Sequence, residues 1–386
     1  MSVFEERQRR ILTTHVGSLP RQANVTEMMI ARLDSREIDL RRYQNAVADA
    51  VRACMDWQER IGIDIASDGE QSKPSFSDYV HERLGGLQRR TGPMVGRTNT
   101  KEINQFPEFY TKGHSGTRPA GAECVAPLTY VGHAILQADL NNLKAALEGR
   151  SFVDVFVPAA SVGTVEGAMI DRHYNNEDAL LEAIAESMRT EYEAIVNAGF
   201  SVQIDDPRMA MTYMLDPEMS VQQLKRWAER RVESVNYALR NIPPDRIRHH
   251  TCYGINMGPR TNDIEMKHLV QLILSVRANY YSFEFANPRH EHEWAIWNGL
   301  NIPEEKVLMP GVITHASVLV EHPELVAQRI KTFAAIVGPQ RVIASTDCGF
   351  ASMLRSVPEV HETIVEAKMK SLVEGARLAS ALLFKT

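Results

Sequence analysis

The chain has little that would tie it to a membrane, a nucleic acid or an oxidising compartment. No apolar run reaches the length of a membrane span, and no basic excess marks a nucleic-acid footprint, the net charge being −6. The amino-terminal stretch MSVFEERQRR is charged and lacks the apolar core of a signal peptide. Four cysteines in 386 residues, Cys54, Cys124, Cys252 and Cys348, are too sparse and irregular for a disulfide framework. Glycine-rich dinucleotide fingerprints, internal repeats and low-complexity tracts are missing too. The expectation is a cytoplasmic globular protein with no nucleic-acid or membrane partner. A homo-oligomer is compatible with this composition.

What is present is an alternation of short β-like runs and longer helical patterns, which signals βα units around a parallel sheet. Eight core strands are expected at 11–18, 64–70, 154–160, 202–207, 248–254, 281–287, 306–312 and 342–348. After Asn176, apolar residues recur at Leu180, Ile184, Met188, Tyr192 and Ile195 before Gly199, a capped amphipathic helix. Another amphipathic helix is expected from Val360 to Phe384. Eight strands with interleaved helices predict an α/β fold, a single (β/α)8 TIM barrel over 1–386. The segment at about 85–150 breaks the alternation and reads as an insertion between strands two and three, with a hairpin and a helix.

In such a barrel the reactive groups gather at the carboxyl ends of the strands. Ser18, Glu70, Asp205, His250 with Cys252, Glu284 and Cys348 all fall there. His250 and Cys252, two apart, share one face of a strand, whereas His249 points to the other. One imidazole, one carboxylate and two thiols suit zinc, which takes nitrogen and sulfur donors. Cys54 and Cys124 read as structural. His290 and His292 follow Pro288 and read as lining the mouth or pairing with Glu291 and Glu293. His15 lies inside the first strand, three residues before Ser18, where it can face a substrate.

The motifs TTHVGSLPR, ASDGEQ, QIDDP, HTCYG, FEFANPRHEHEW and STDCG, in this order, resemble the catalytic barrel of cobalamin-independent methionine synthase. The resemblance covers nearly the whole chain. It implies zinc held by His250, Cys252, Glu284 and Cys348, with no cobalamin. It further implies an amino-acid pocket at Ser18, Glu70 and Asp205. Two carboxylates could pair with an ammonium, and Ser18 with a neighbouring N–H could hold a carboxylate. A zinc-bound thiol would attack as thiolate, and Glu284, a hard oxygen donor, is the ligand expected to loosen.

Two departures bear on the second substrate. Where the family has an Asp–His pair, this chain reads PGVITHAS, so Thr314 replaces the aspartate and His315 is displaced by one position. The stretch VFVPAASVGTVEG carries no tryptophan for pterin stacking, which puts methyltetrahydrofolate as donor in doubt. The expected partners are a small-molecule thiol and an alkyl donor. The expected activity is methyl transfer to homocysteine or a similar thiol. Epoxide opening by a zinc-bound thiol is the alternative, since epoxyalkane:coenzyme M transferase resembles this set. Its new alkoxide would need an acid, His15 or His315, and its sulfonate a cation such as Arg21. From another class, a ligand-binding barrel with structural zinc also accommodates the metal set.

Overall fold

The structure is a computed structural model that describes residues 2–90, 99–111, 121–254, 258–354 and 360–384. Its centre is a sheet of eight parallel strands: β1 (Leu12–Thr13), β2 (Ile65–Ser67), β5 (Asp154–Ala160), β7 (Ser201–Asp205), β8 (Ile247–Thr251), β9 (Tyr280–Phe283), β10 (Val307–Ile313) and β11 (Ile343–Thr346). The strands pair in the order β1, β11, β10, β9, β8, β7, β5, β2. A seam joins the two ends. Asp64 N donates to Thr13 O at 3.3 Å, Thr13 N to Asp64 Oδ2 at 2.8 Å, and Thr14 Oγ1 to Ile65 O at 3.0 Å. The fold is the expected α/β barrel.

Helices close the outside. They run Leu40–Ile61, His133–Ala146, Glu177–Asn197, Val221–Ala238, Val270–Ser275, Trp294–Trp297, Pro323–Val337 and Glu362–Leu383. The Glu177 helix begins where its sequence says: Asn176 accepts from Ala179 N, and Leu180, Ile184, Met188, Tyr192 and Ile195 are buried. Among the described residues, no helix is long and apolar enough to cross a membrane.

The strands are shorter than the sequence suggests. Residues expected to end β1 and β2 leave the ladder through left-handed backbone, Gly17 at φ +143° and Glu70 at φ +55°. The turn chemistry that lifts Ser18 and Glu70 to the mouth is what ends the strands.

The expected insertion holds a hairpin of β3 (Leu84–Arg89) and β4 (Ala122–Tyr130), antiparallel, extended by parallel β6 (Met169–Asp171). The third strand was not legible, being three residues long. The Gly/Arg/Thr-rich stretch at 91–98 lies outside the described residues. The helix in this region, His133–Ala146, packs on the Leu40–Ile61 helix. A single carboxylate anchors the hairpin side. Glu191, fully buried, accepts from Tyr79 Oη and Tyr130 Oη at 2.8 Å each and meets Arg83 Nη1 at 3.1 Å.

Inside the barrel, Leu12, Ile65, Phe156, Val307, Met309 and Ile343 fill an apolar layer. Above Phe156 lies the guanidinium of Arg248, 3.6 Å from the ring centroid, donating to Thr14 Oγ1 and His15 O. Strand alternation then brings His250 and Cys252 to the same side as Arg248.

Candidate metal centre and substrate pocket

Three of the four expected metal ligands come together. One ligand atom each of His250, Cys252 and Cys348 lies within 4.8 Å of the others, all buried, and the two sulfurs are 3.5 Å apart. Cysteines bound tetrahedrally to zinc at about 2.3 Å have sulfurs at about this separation. His250 Nδ1 meets Ser282 Oγ at 3.1 Å, and Nε2 is buried with no hydrogen-bond partner among the described residues. This is how a metal-binding imidazole is usually oriented from behind. Burial pushes His250 down to about 3, aided by the neighbouring His249 and Arg248, so the ring is neutral at pH 7. The hydrogen bond to Cys252 and burial push the Cys348 thiol well above its ordinary range. Only a cation would make it a thiolate near neutrality. The nitrogen and sulfur donor set therefore fits zinc.

Glu284 is buried beside this group but engaged elsewhere. Its Oε1 accepts from Tyr253 N at 2.9 Å, and its Oε2 from Arg260 Nη2 at 2.8 Å and Asn287 Nδ2 at 3.1 Å. Among the described residues, the metal-competent group holds three members and not the carboxylate.

His250, Cys252 and Cys348 line one cavity together with Ser18, Glu70 and Asp205. Its free volume is about 30 Å³, the room of about one water. Ser18 Oγ pairs with Ser352 Oγ at 2.8 Å, and Ser18 O accepts from Phe350 N at 2.9 Å. Gly349 makes this contact feasible, because a Cβ there would lie 2.0 Å from Ser18 Oγ. Asp205 Oδ1 accepts from Gln203 Nε2 at 2.8 Å, while Glu70 Oε2 is buried without a hydrogen-bond partner among the described residues. Burial and the Glu70 carboxylate push Asp205 well above the ordinary range, and burial raises Glu70 against Lys73 and Arg21. Among the described residues, no lysine or arginine lines the cavity. The pocket has two carboxyl groups and space for a cation.

Several other candidates prove to have structural partners. His15 does not line the cavity. Its Nε2 meets Gln58 Oε1 at 2.8 Å and its Nδ1 accepts from Gly17 N at 3.1 Å, so neither nitrogen is free for an incoming group. Arg21 straps the mouth loops through Glu70 O and Ala351 O and does not face the cavity. His249 stands opposite His250, its Nε2 3.7 Å from Asp206 Oδ2. His290 bridges Glu293 at 2.9 Å and Asp263 at 3.1 Å. Thr314 Oγ1 accepts from Ala316 N and caps a turn. His315 is buried, and among the described residues neither ring nitrogen has a hydrogen-bond partner. Burial and Arg260 push it down to about 4, against the pull of Asp347.

The sequence reading missed Arg260, Asn287, Ser282, Ser352 and Asp347. Asp347 adjoins Cys348 and takes the N–H groups of Phe285 and Ala286 at 2.7 Å each. Ser282 had a legible signal, lying two residues before Glu284 on the same strand face. Arg260 had none, since it acts from an irregular loop.

The structure is a parallel α/β barrel with an imidazole and two thiols converging at the carboxyl ends of its strands, a set able to hold a metal ion. The chain is similar in sequence and fold to the cobalamin-independent methionine synthases. The family described as "Cobalamin-independent synthase, Catalytic domain" matches residues 11–100. The 5-methyltetrahydropteroyltriglutamate–homocysteine methyltransferase of Thermosynechococcus vestitus is 23% identical over 373 residues, 93% of this chain but 44% of that protein. The chain thus spans less than half the length of that relative. The 2-hydroxypropyl-CoM lyase of Xanthobacter autotrophicus is 24% identical over 377 residues, 89% of this chain and 87% of that protein. Among solved structures, a B12-independent methionine synthase from Shewanella sp. W3-18-1 shares the fold with a TM-score of 0.72, at 18% identity over 97% of this chain and 99% of that one.

Proposed function

We propose that this chain is a zinc-dependent, cobalamin-independent enzyme that transfers a methyl or other alkyl group to the thiol of a small amino acid such as homocysteine. The observation that carries this reading is the juxtaposition of a nitrogen–sulfur–sulfur donor set with two buried carboxyl groups in one cavity. The activity named for the Thermosynechococcus relative supports it. All four cysteines are unpaired, which fits a cytoplasmic location.

His250, Cys252 and Cys348 would hold the metal, with Glu284 as an exchangeable fourth ligand. Zinc bound there would lower the pKa of the substrate thiol so that it reacts as thiolate at neutral pH. Glu70 and Asp205 take the substrate ammonium, which relieves two carboxyl groups crowded in low dielectric. Ser18 and its backbone turn take the substrate carboxylate. His315, held neutral by burial and Arg260 but outside the residues that line the cavity, is assigned to take the proton that the thiol gives up when substrate enters. We assign His15 the task of fixing the first strand's end against Gln58. The only aromatic side chain lining the cavity among the described residues is Phe76, so a stacked pterin lacks a tryptophan here and the methyl donor is proposed as an electrophile other than methyltetrahydrofolate.

A second reading, alkyl or epoxide transfer to coenzyme M, draws on the Xanthobacter relative. A sulfonate needs a cation, and the cavity presents carboxylates. The test is zinc X-ray absorption while homocysteine or coenzyme M is added. A new Zn–S bond with homocysteine supports the first reading, and one with coenzyme M alone supports the second. Zinc that ignores every thiol would leave a ligand-binding barrel with structural zinc. No stoichiometric zinc, or zinc unaffected by Cys252→Ala and Cys348→Ala, would defeat both enzyme readings.

A further inference from the structure

The ion pair between Arg260 and Glu284 has no part in the chemistry above. Arg260 Nη2 donates to Glu284 Oε2 at 2.8 Å and its Nε to Asp263 Oδ2 at 2.9 Å, with all three side chains buried. The arrangement is costly in two ways. The Arg260 backbone is left-handed at φ +58°, a region that side-chain-bearing residues avoid. Its Nη1 is buried with no hydrogen-bond partner among the described residues. The guanidinium is also braced from behind. Asp263 Oδ2 is 3.1 Å from His290 Nε2, His290 Nδ1 is 2.9 Å from Glu293 Oε2, and the His290 ring stacks on Tyr253 with centroids 3.9 Å apart. Tyr253 follows Cys252, and its N–H holds the other oxygen of Glu284.

We propose that Arg260 is a positioning residue that gives Glu284 a resting place off the metal, so that a substrate thiol can take the fourth ligand position. The inference rests on the zinc reading above. Its reason is charge. Two cysteinates and one glutamate around a dication carry −1, and a substrate thiolate added to that set would make −2 in a buried site. If Glu284 leaves for the Arg260 guanidinium as the thiolate arrives, the centre stays at −1 and the departing carboxylate remains paired. A carboxylate held by three donors has no need to be resolvated when it leaves. Arginine suits this task because its fork bonds Asp263 and Glu284 at once, which a lysine cannot copy.

The alternative role for a residue behind a ligand is to orient it toward the metal, and that role has the opposite sign. Removing an orienting partner weakens metal binding by about 10–100-fold. Removing a competing partner strengthens it. Zinc affinity, measured by competition with a chromophoric chelator, should therefore rise by about tenfold or more in Arg260→Leu. X-ray absorption supplies a second readout. Homocysteine added to the wild-type zinc protein should exchange one oxygen or nitrogen scatterer for a sulfur. In Arg260→Leu the sulfur should enter with the oxygen retained. Arg260→Lys, which keeps the charge without the fork, should lie between the two. Unchanged or weaker zinc affinity in Arg260→Leu, or ligand exchange like that of the wild type, would overturn the proposal. If the leucine variant does not fold, the lysine variant decides by the same two readouts. A wild-type protein that takes up no zinc would overturn the underlying reading and this one with it. Zinc uptake with indifferent Arg260 variants would overturn this one alone.

Discussion

The sulfurs of Cys252 and Cys348 stand 3.5 Å apart although 96 positions separate them in the chain. They hang from the ends of β8 and β11, two strands that are not neighbours in the barrel sheet. A metal held by such a pair would couple its occupancy to the fold as a whole, since the barrel and not a local knuckle brings the two sulfurs together. Chelation should therefore lower the melting temperature, and Cys252→Ser or Cys348→Ser should abolish both zinc retention and the chelator's effect. Ser282→Ala, which removes the hydroxyl behind His250, should weaken zinc by about 10–100-fold without unfolding the chain. Melting curves with and without chelator, together with metal analysis, check all three variants.

Glu70 and Asp205 should trade stability for binding. Asp205 is raised above its ordinary value in the folded chain. Its contribution to stability is thus fully present below the ordinary carboxylate range and is lost as pH rises through the raised value. Without substrate, the wild type should lose melting temperature with rising pH across that window, and Asp205→Asn should flatten the loss. The same variant should raise KM for homocysteine by about tenfold or more, since a charge-assisted bond to the ammonium is worth about 1.5–3 kcal/mol. Scanning calorimetry against pH and steady-state kinetics read the two effects separately.

Gly349→Ala should damage the pocket through contact alone. The new Cβ would lie 2.0 Å from Ser18 Oγ and 3.0 Å from Ser352 Oγ. Overpacking of this kind costs about 1–3 kcal/mol. The displaced group is a proposed substrate contact, so thiol binding should weaken beyond what the stability loss explains. Isothermal titration of the folded fraction with homocysteine distinguishes the two.

His290 should give the chain an alkaline soft spot. Its ring is buried between Asp263 and Glu293, whose carboxylates outweigh burial and lift it to about 9. A raised histidine stabilises fully below its unfolded value and loses that contribution as pH climbs through the folded one. Stability should therefore decline between about pH 6.5 and 9, and His290→Gln should remove that slope while lowering stability at neutral pH. Chemical denaturation at a series of pH values provides the check.

Much of the barrel was legible because its strands and helices obey simple periods. Asn176 with its apolar positions marked a helix to within a residue, and the strand alternation placed His250 and Cys252 on one face and His249 on the other. The strand ends were not legible, because Gly17 and Glu70 turn the chain by backbone conformation and not by composition. The thiols and the imidazole could be found from residue type. What Glu284 touches could not, since its strongest partner, Arg260, comes from a loop whose course depends on the packed structure. His15 illustrates the opposite error: its proximity to Ser18 along the chain suggested chemistry, but Gln58, 43 residues away, claims the ring.

The hairpin beside the second strand is bound to the barrel by a debt of charge. Glu191 sits on a helix of the outer ring, fully buried, and its donors Tyr79, Arg83 and Tyr130 all come from the stretch that carries the hairpin. Excising that stretch would strand an anion in the protein interior, a loss of about 3–5 kcal/mol. The segment therefore cannot be shed by deletion alone. Neutralising position 191 alone would in turn leave the buried Arg83 with Asp139 as its carboxylate partner, so the two changes are coupled.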